Sequence, residues 1–321
     1  MRILVAGGAG YIGSVLVPRL LERGYQVDVV DQLWFGNHLP AGVKIIERDL
    51  MDLGEKDLAG YQQVIYIAGL SNDPMAEYSP ARNFVENGAG AAYLAYIAKR
   101  CGVERYIYGG SCSVYGYTVN ELYDEQSPTV SSYPYGISKL QGEFGSMQLR
   151  DDKFSVICFR QGTVSGYSPR MRLDLIVNTM FKCAVEDKTI TVNNPAIWRP
   201  LLAIQDAASA YVRAVEAPRE ISGVFNVASG NYTVGEVADY VKHGVKESLG
   251  IDARIVIKHV EDFRNYKVST EKARNVLSFK PRHDVESIVK ELAENLERFK
   301  AFDTERFYNI RTFKKLNPVP H

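Results

Sequence analysis

The chain has 321 residues, and its 38 lysines and arginines balance 38 aspartates and glutamates. No net field draws it to nucleic acid or to an anionic membrane surface. No apolar run approaches the ~18 residues of a membrane span, and the first strand starts at residue 2, which leaves no room for a secretory signal. The four cysteines, Cys101, Cys112, Cys158 and Cys183, form no CxxC pair. Reduced thiols in a cytoplasmic protein are therefore expected, with neither a metal site nor a disulfide framework. A chain of this length sits at the upper edge of one core and favours two lobes.

In chain order, Ile3-Leu4-Val5-Ala6 reads as a strand buried on both faces. Gly7, Gly10 and Gly13 follow at intervals of three, and 11–23 reads as a helix. The glycines allow a tight turn and a close backbone approach to a pyrophosphate, with the anion on the helix N-terminus formed by Tyr11 and Ile12. A second strand over 26–30 ends in Asp31. An acid at that place accepts hydrogen bonds from the adenosine ribose hydroxyls and repels a 2′-phosphate, so NAD is favoured over NADP. Glycine-rich turns are common; the weight here comes from strand, glycines, helix, strand and acid falling in order.

Strands are next predicted over 43–47, 63–68, 105–109 and 155–160, with helices over 80–99 and 135–149. The alternation predicts an α/β fold with a doubly wound parallel sheet. After Gly166 the pattern loosens: 169–183 reads as helical, followed by loops rich in Asn and Pro. The stretch 202–215 reads as a strand and helix returning to the first lobe. Two amphipathic helices and a short strand around Ile255 occupy 233–302, and the tail 303–321 has no clear period and reads as surface cover.

The chemistry centres on Tyr135-Gly136-Ile137-Ser138-Lys139. On a helix, positions i and i+4 share a face. An ammonium beside a phenol favours phenolate and lowers its pKa from ~10. A tyrosine tuned this way takes a proton from a sugar hydroxyl as hydride leaves. With 20 tyrosines present, such a pair alone is weak evidence. It gains force from Ser111, predicted at the carboxyl end of a strand, where open parallel sheets build their sites. There a hydroxyl can bond the reacting oxygen and share its proton with Tyr135. The five histidines are scattered without metal spacing.

The motifs GGAGYIG, the acid Asp31, VIYIAGL, SCSVYG, YGISK and WRPLLAIQD together resemble the extended short-chain dehydrogenase/reductase family, the nucleotide-sugar epimerases and dehydratases, over nearly the whole chain. The resemblance implies a modified Rossmann domain with tightly held NAD, a smaller C-terminal α/β domain for the nucleotide sugar, and a homodimer built on a four-helix bundle. It makes Tyr135 the base, with Ser111 beside it and Lys139 reaching the nicotinamide ribose. Asp49 and Leu50 match the adenine-contacting pair, and Ala68, Gly69 and Leu70 match the loop along the cofactor phosphates. Asn87 matches the asparagine that opens a family segment, although Gly88 replaces its usual Val. The implied division is an NAD-binding domain over 1–165, with 202–228 returning to it, and a substrate domain over 166–201 and 229–321.

The departures narrow the reaction. Family dehydratases carry Asp and Glu after the serine/threonine, and sugar-acid decarboxylases keep the Glu; this chain has Cys112 and Ser113 there. The 3,5-epimerases place a cysteine where Ser113 stands. Strand alternation turns Cys112 to the far side, as a small buried filler. What remains needs only a hydride and one proton. Thr163 stands where many relatives have an asparagine that contacts the substrate. Ser168-Pro169-Arg170-Met171-Arg172-Leu173-Asp174-Leu175 is a basic stretch, similar to a subgroup of which some members handle nucleotide-linked heptoses or deoxysugars. Arg199 matches the family's pyrophosphate-clamping arginine, Arg264 is a candidate second, and Arg172 a third. Ser71-Asn72-Asp73-Pro74 reads either as a wall of the sugar pocket or as a simple turn. The expected function is 4-epimerisation of a nucleotide sugar through a transient 4-keto intermediate. Its alternatives are a 4-dehydrogenase or 4-ketoreductase and, in a different class, a non-catalytic dinucleotide sensor.

Overall fold

The computed structural model describes residues 1–116, 121–258 and 265–318. Seven strands form one central sheet: β1 (Arg2–Ala6), β2 (Gln26–Asp31), β3 (Lys44–Glu47), β4 (Gln63–Tyr66), β5 (Arg105–Ser111), β6 (Ser155–Gln161) and β7 (Gly223–Val227). Their order across the sheet is β3-β2-β1-β4-β5-β6-β7, and every neighbouring pair is parallel. Helices cover both faces, and this is the expected α/β, Rossmann-like, doubly wound sheet. One face packs α1 (Gly13–Glu22) and the helix Ile204–Glu216 over Ile3, Val5, Val29 and Ile107. The opposite face packs Leu94, Ala95 and Ala98 over Leu4, Val64 and Tyr106. Strand order reverses between β1 and β4, so a crevice opens beyond their carboxyl ends.

A separate core is built by the helices Ile176–Glu186, Val234–Leu249 and Val285–Glu294, around Phe181, Val237, Val241 and Val289. Where loops were expected after 183, two strands form instead. Thr189–Asn193 pairs in parallel with Arg254–Lys258, the strand foreseen around Ile255. Trp198–Ala203 joins Thr163–Ser165 and Gly230–Thr233 in a small sheet. β-branched residues that alternate buried and exposed in Thr189–Asn193 carry that pattern.

Three other expectations are corrected. The helix foreseen over 80–99 is interrupted: Phe84–Ala89 winds as a wider π turn before the α-helix Gly90–Arg100. The helix foreseen over 169–183 begins at Ile176. Pro169 has no N–H for a helical ladder, and the carbonyls of Arg172 and Leu173 are instead held by the side chains of Asn178 and Thr179. The tail is no mere cover. It carries the helix Asn309–Leu316, whose Phe313 is fully buried against Leu70 and Met75.

Candidate active site

Beyond the carboxyl ends of β1 and β4 lies a cavity of about 710 Å³. Its first wall is the glycine turn. Gly7 has φ +80°, and a Cβ there would fall 2.6 Å from the Ala68 Cα, so only glycine lets the two loops meet. Gly10 faces the cavity with Tyr11 and Ile12. Gly13 does not; a Cβ on it would strike the Gly8 carbonyl at 2.2 Å, so its smallness seats the start of α1 against the turn. Asp31 accepts from the Ala9 N–H at 3.0 Å and the Leu33 N–H at 2.9 Å. Burial raises its carboxyl above the ordinary carboxylate value, and those N–H bonds pull the other way. Asp49, Leu50, Ala68 and Gly69 continue this wall.

Leu70 and Asn87 stand behind it. Leu70 is fully buried, and Asn87 donates to the Leu70 carbonyl at 2.9 Å and to Asn83 at 2.8 Å. A Cβ on Gly69, φ +101°, would land 2.0 Å from Asn87 Oδ1. Asn87 thus shapes the cofactor loop from beneath.

The reacting groups come from two elements. β5 ends at Ser111, whose Oγ accepts from the Ser113 N–H at 3.1 Å and donates to Ser113 Oγ at 3.0 Å. Cys112 between them turns away, 1% exposed, with its thiol on the Arg160 carbonyl. Tyr135 and Lys139 sit on the helix Pro134–Met147, which starts with Pro at its first position. A Cβ on Gly142 would meet the Asn87 carbonyl at 2.4 Å, so the helix presses onto the chain beneath it. Arg160 of β6 grips Glu143 of this helix through two hydrogen bonds of 2.9 and 2.7 Å, both side chains nearly fully buried.

Tyr135, Lys139, Ser111 and Ser113 all face the cavity. The Lys139 Nζ lies 5.9 Å from the centre of the Tyr135 ring and donates to the Gly109 carbonyl at 3.1 Å. Burial pulls its pKa down to about 8. Burial is also the largest influence on Tyr135 and raises its phenol pKa, opposed by the Arg172 cation and the Ser111 hydroxyl. The expectation of a phenol lowered by Lys139 is not met: enclosure and the Asp73 carboxylate raise it, and the groups that pull it down are Arg172 and Ser111.

The Arg172 cation acts on that phenol, against the Asp73 carboxylate, which raises it. Its guanidinium holds Asp174 through bonds of 2.8 and 3.1 Å. Burial works against the charge of both, yet each stabilises the other: Arg172 is raised and Asp174 lowered from their ordinary values. Asn72 also donates to Asp174, at 3.2 Å. Asn72 caps the helix Asp73–Tyr78, so 71–74 is both a turn and a cavity wall. Thr163 and Arg199 line the far half with Thr191, Asn193, Ile197 and Tyr266. The Arg199 guanidinium lies 5.9 Å from the centre of the Tyr266 ring. Arg264 lies outside the described residues.

With this geometry the chain can be set beside known proteins. The sequence model of the NAD dependent epimerase/dehydratase family matches residues 3–228. The chain belongs to that family. It is 27% identical to a UDP-glucose 4-epimerase of Corynebacterium glutamicum over 313 residues, covering 91% of this chain and 94% of the relative. It is 25% identical to UDP-glucuronic acid decarboxylase 5 of Arabidopsis thaliana, over 88% of this chain and 85% of that one. Among solved structures, the UDP-glucose 4-epimerase of Thermotoga maritima superposes with a TM-score of 0.83 at 24% identity, covering 94% of this chain and all of that one. The family depends on NAD, and the residues present fit it. The glycine cradle admits backbone alone, and Asp31 is braced at the end of β2, where it could take the ribose hydroxyls.

Among the cavity residues that the sequence motifs did not point to are Asp174, Tyr266, Asn309 and Ile310. Asp174 had one available signal, an acid two places from a candidate arginine. Asn309 and Ile310 had none, because they lie in the tail that shows no period.

Proposed function

We propose that this family member catalyses NAD-dependent 4-epimerisation of a nucleotide sugar. The observation that carries the reading is the composition of the reacting corner. Ser111, Ser113 and Tyr135 meet there, while the neighbouring Cys112 is turned into the core. Loss of water or of carbon dioxide calls for a carboxylate at the positions that follow Ser111, and there this chain carries Cys112 and Ser113.

Bound NAD would supply the acceptor and donor of hydride. The chain's own part is proton handling and positioning. Tyr135 takes the proton of the C4 hydroxyl and returns it, with Ser111 bonded to the same oxygen and passing protons to Ser113. Arg172 and Lys139 lend positive charge to the phenolate so formed. Arg199 is placed for the substrate pyrophosphate, and Thr163 and Ser71 for its sugar side. Residues 166–201 and 229–321 act as the substrate domain, and 1–165 with 202–228 as the cofactor domain.

A homodimer is also inferred. Val85, Tyr96 and Phe144 are each 46–59% exposed on the helical segments 84–100 and 134–147, an apolar surface of the kind a helical dimer covers. Among the described residues no helix is long and apolar enough to cross a membrane.

Turnover of a nucleotide sugar with deuterium at C4 tests the reaction. The label is expected to stay on C4, product mass to equal substrate mass, and no NADH to accumulate. Net absorbance at 340 nm would favour the 4-oxidase reading instead. A product lighter by one water would refute the argument from Cys112 and Ser113.

A further inference from the structure

Arg170 is 2% exposed and forms part of the cavity wall. Other buried arginines of this chain have their charge answered. Arg160 is gripped by Glu143 and Arg172 by Asp174. Arg105, without a carboxylate, donates to the carbonyls of Ala214, Ala217 and Pro218 at the end of the helix Ile204–Glu216, where the dipole is negative.

Arg170 has no such answer. Nη2 donates to Asn309 Oδ1 and Nη1 to the Met171 carbonyl at 3.4 Å. Both acceptors are neutral, and Nε finds no acceptor among the described residues. Asp174 and Asp31 act on it through space only, and burial pulls its pKa down to about 9. A buried cation held by neutral groups is unfavourable unless an anion joins it.

The surroundings say which anion. The guanidinium carbon lies 3.6 Å from the centre of the Phe35 ring, in the loop that follows Asp31. Its field also reaches Tyr11, at the entry to α1. Arg170 therefore stands between the ribose acid and the helix N-terminus, at the cofactor end of the cavity. Along a dinucleotide, the negative group between those points is the pyrophosphate.

We propose that Arg170 clamps the cofactor pyrophosphate from the side opposite α1, and that Asn309 of the C-terminal tail positions it. This rests on the reading of the cavity as a dinucleotide site. Asn309 is 5% exposed and is itself fixed: its N–H donates to Asp174 at 3.3 Å, and its Nδ2 to Ser71 at 2.5 Å. A planar fork over an aromatic face suits a phosphate oxygen pair, which a lysine matches less well. The tail thereby takes part in holding the cofactor.

The test is NADH fluorescence titration of the full chain, with ADP-ribose, adenosine and UDP as competitors. Arg170→Gln is expected to weaken NADH and ADP-ribose about tenfold or more. Adenosine and UDP should bind as to the wild type. Arg170→Lys should fall between, and Asn309→Ala should weaken ADP-ribose severalfold while UDP is unmoved. Those two variants carry the test if Arg170→Gln does not fold. Unchanged ADP-ribose binding in Arg170→Gln would overturn the proposal. So would a selective loss of UDP, which would assign the cation to the substrate diphosphate. A wild type that binds no NADH would sink the dinucleotide reading itself, a different failure from a variant that matches a binding wild type.

Discussion

Replacing Lys139 with methionine should make the protein more stable and nearly inactive. The ammonium is enclosed, and its pKa falls from 10.5 to about 8 through burial. That fall corresponds to about 3 kcal/mol against the charged form in the folded state. Methionine fills a similar volume without charge. It forfeits the bond from Lys139 to the Gly109 carbonyl, worth about 1 kcal/mol. The net gain is about 2 kcal/mol, or a rise of roughly 4 °C in Tm for a chain of this size. The sign follows from linkage. A folded pKa below the unfolded one means that folding disfavours the ammonium. The penalty is complete below pH 8, shrinks as pH climbs, and vanishes above 10.5, where the unfolded lysine is also neutral. Differential scanning calorimetry on cofactor-free protein should therefore find Lys139→Met melting higher at pH 7, with the gap closing by pH 10. Saturating NAD should narrow the gap at pH 7, since the wild type gains contacts that the variant lacks. Turnover should fall by about two to four orders of magnitude. A variant that melts at or below the wild type at pH 7, with no pH dependence of the difference, would refute the burial argument.

Tyr135→Phe removes only the phenolic oxygen; kcat should drop about a thousandfold or more with NAD affinity nearly unchanged, and a variant retaining over about a tenth of the rate would show that another group is the base. NAD should bind about tenfold or more tightly than NADP by calorimetry, because Asp31 repels a 2′-phosphate, and Asp31→Asn should shrink that preference; equal wild-type affinities would count against the role of Asp31. Glu143→Ala leaves Arg160 as a buried cation and should cost about 3–5 kcal/mol in urea unfolding, whereas Glu143→Leu combined with Arg160→Met should recover most of that loss; a single variant within about 1 kcal/mol of wild type would mean that the pair is solvent-screened.

The cofactor half was legible because its determinants are local. Strand, glycines, helix and acid lie within the first 31 residues, and each step follows from period or steric need. Tyr135 and Lys139 were legible for the same reason, one helical turn apart. Cys112 does face inward, although not by strand alternation: it opens the 3₁₀ turn Cys112–Tyr115 just past the end of β5. What failed depended on distant partners. The stretch 169–175 has helix-compatible composition. It is instead held open by Asn178, Thr179 and the ion pair of Arg172 with Asp174. The π turn at Phe84–Ala89 places Asn87 under Gly69, a contact between loops that no local pattern encodes.

The charges along the cavity explain why the least legible segments matter most to binding. Asp31 and the α1 N-terminus come from the first lobe, and on the proposed reading they would recognise a ribose and attract a phosphate. By themselves they leave a ligand of two phosphates exposed on one side. Of the positive side chains that line the cavity among the described residues, Arg48 and Lys139 come from the first lobe, and Arg170, Arg172 and Arg199 from chain beyond Gly166. Arg172 is already neutralised by Asp174 and acts on Tyr135 by field rather than as an anion site. Under the proposed readings Arg170 and Arg199 would divide the work, one toward the cofactor end and one toward the substrate end. On this arrangement the second lobe is more than a substrate pocket added to a finished cofactor site. Cofactor retention should depend on the tail through Asn309, so shortening the chain before residue 309 should release NAD faster while leaving the glycine turn intact.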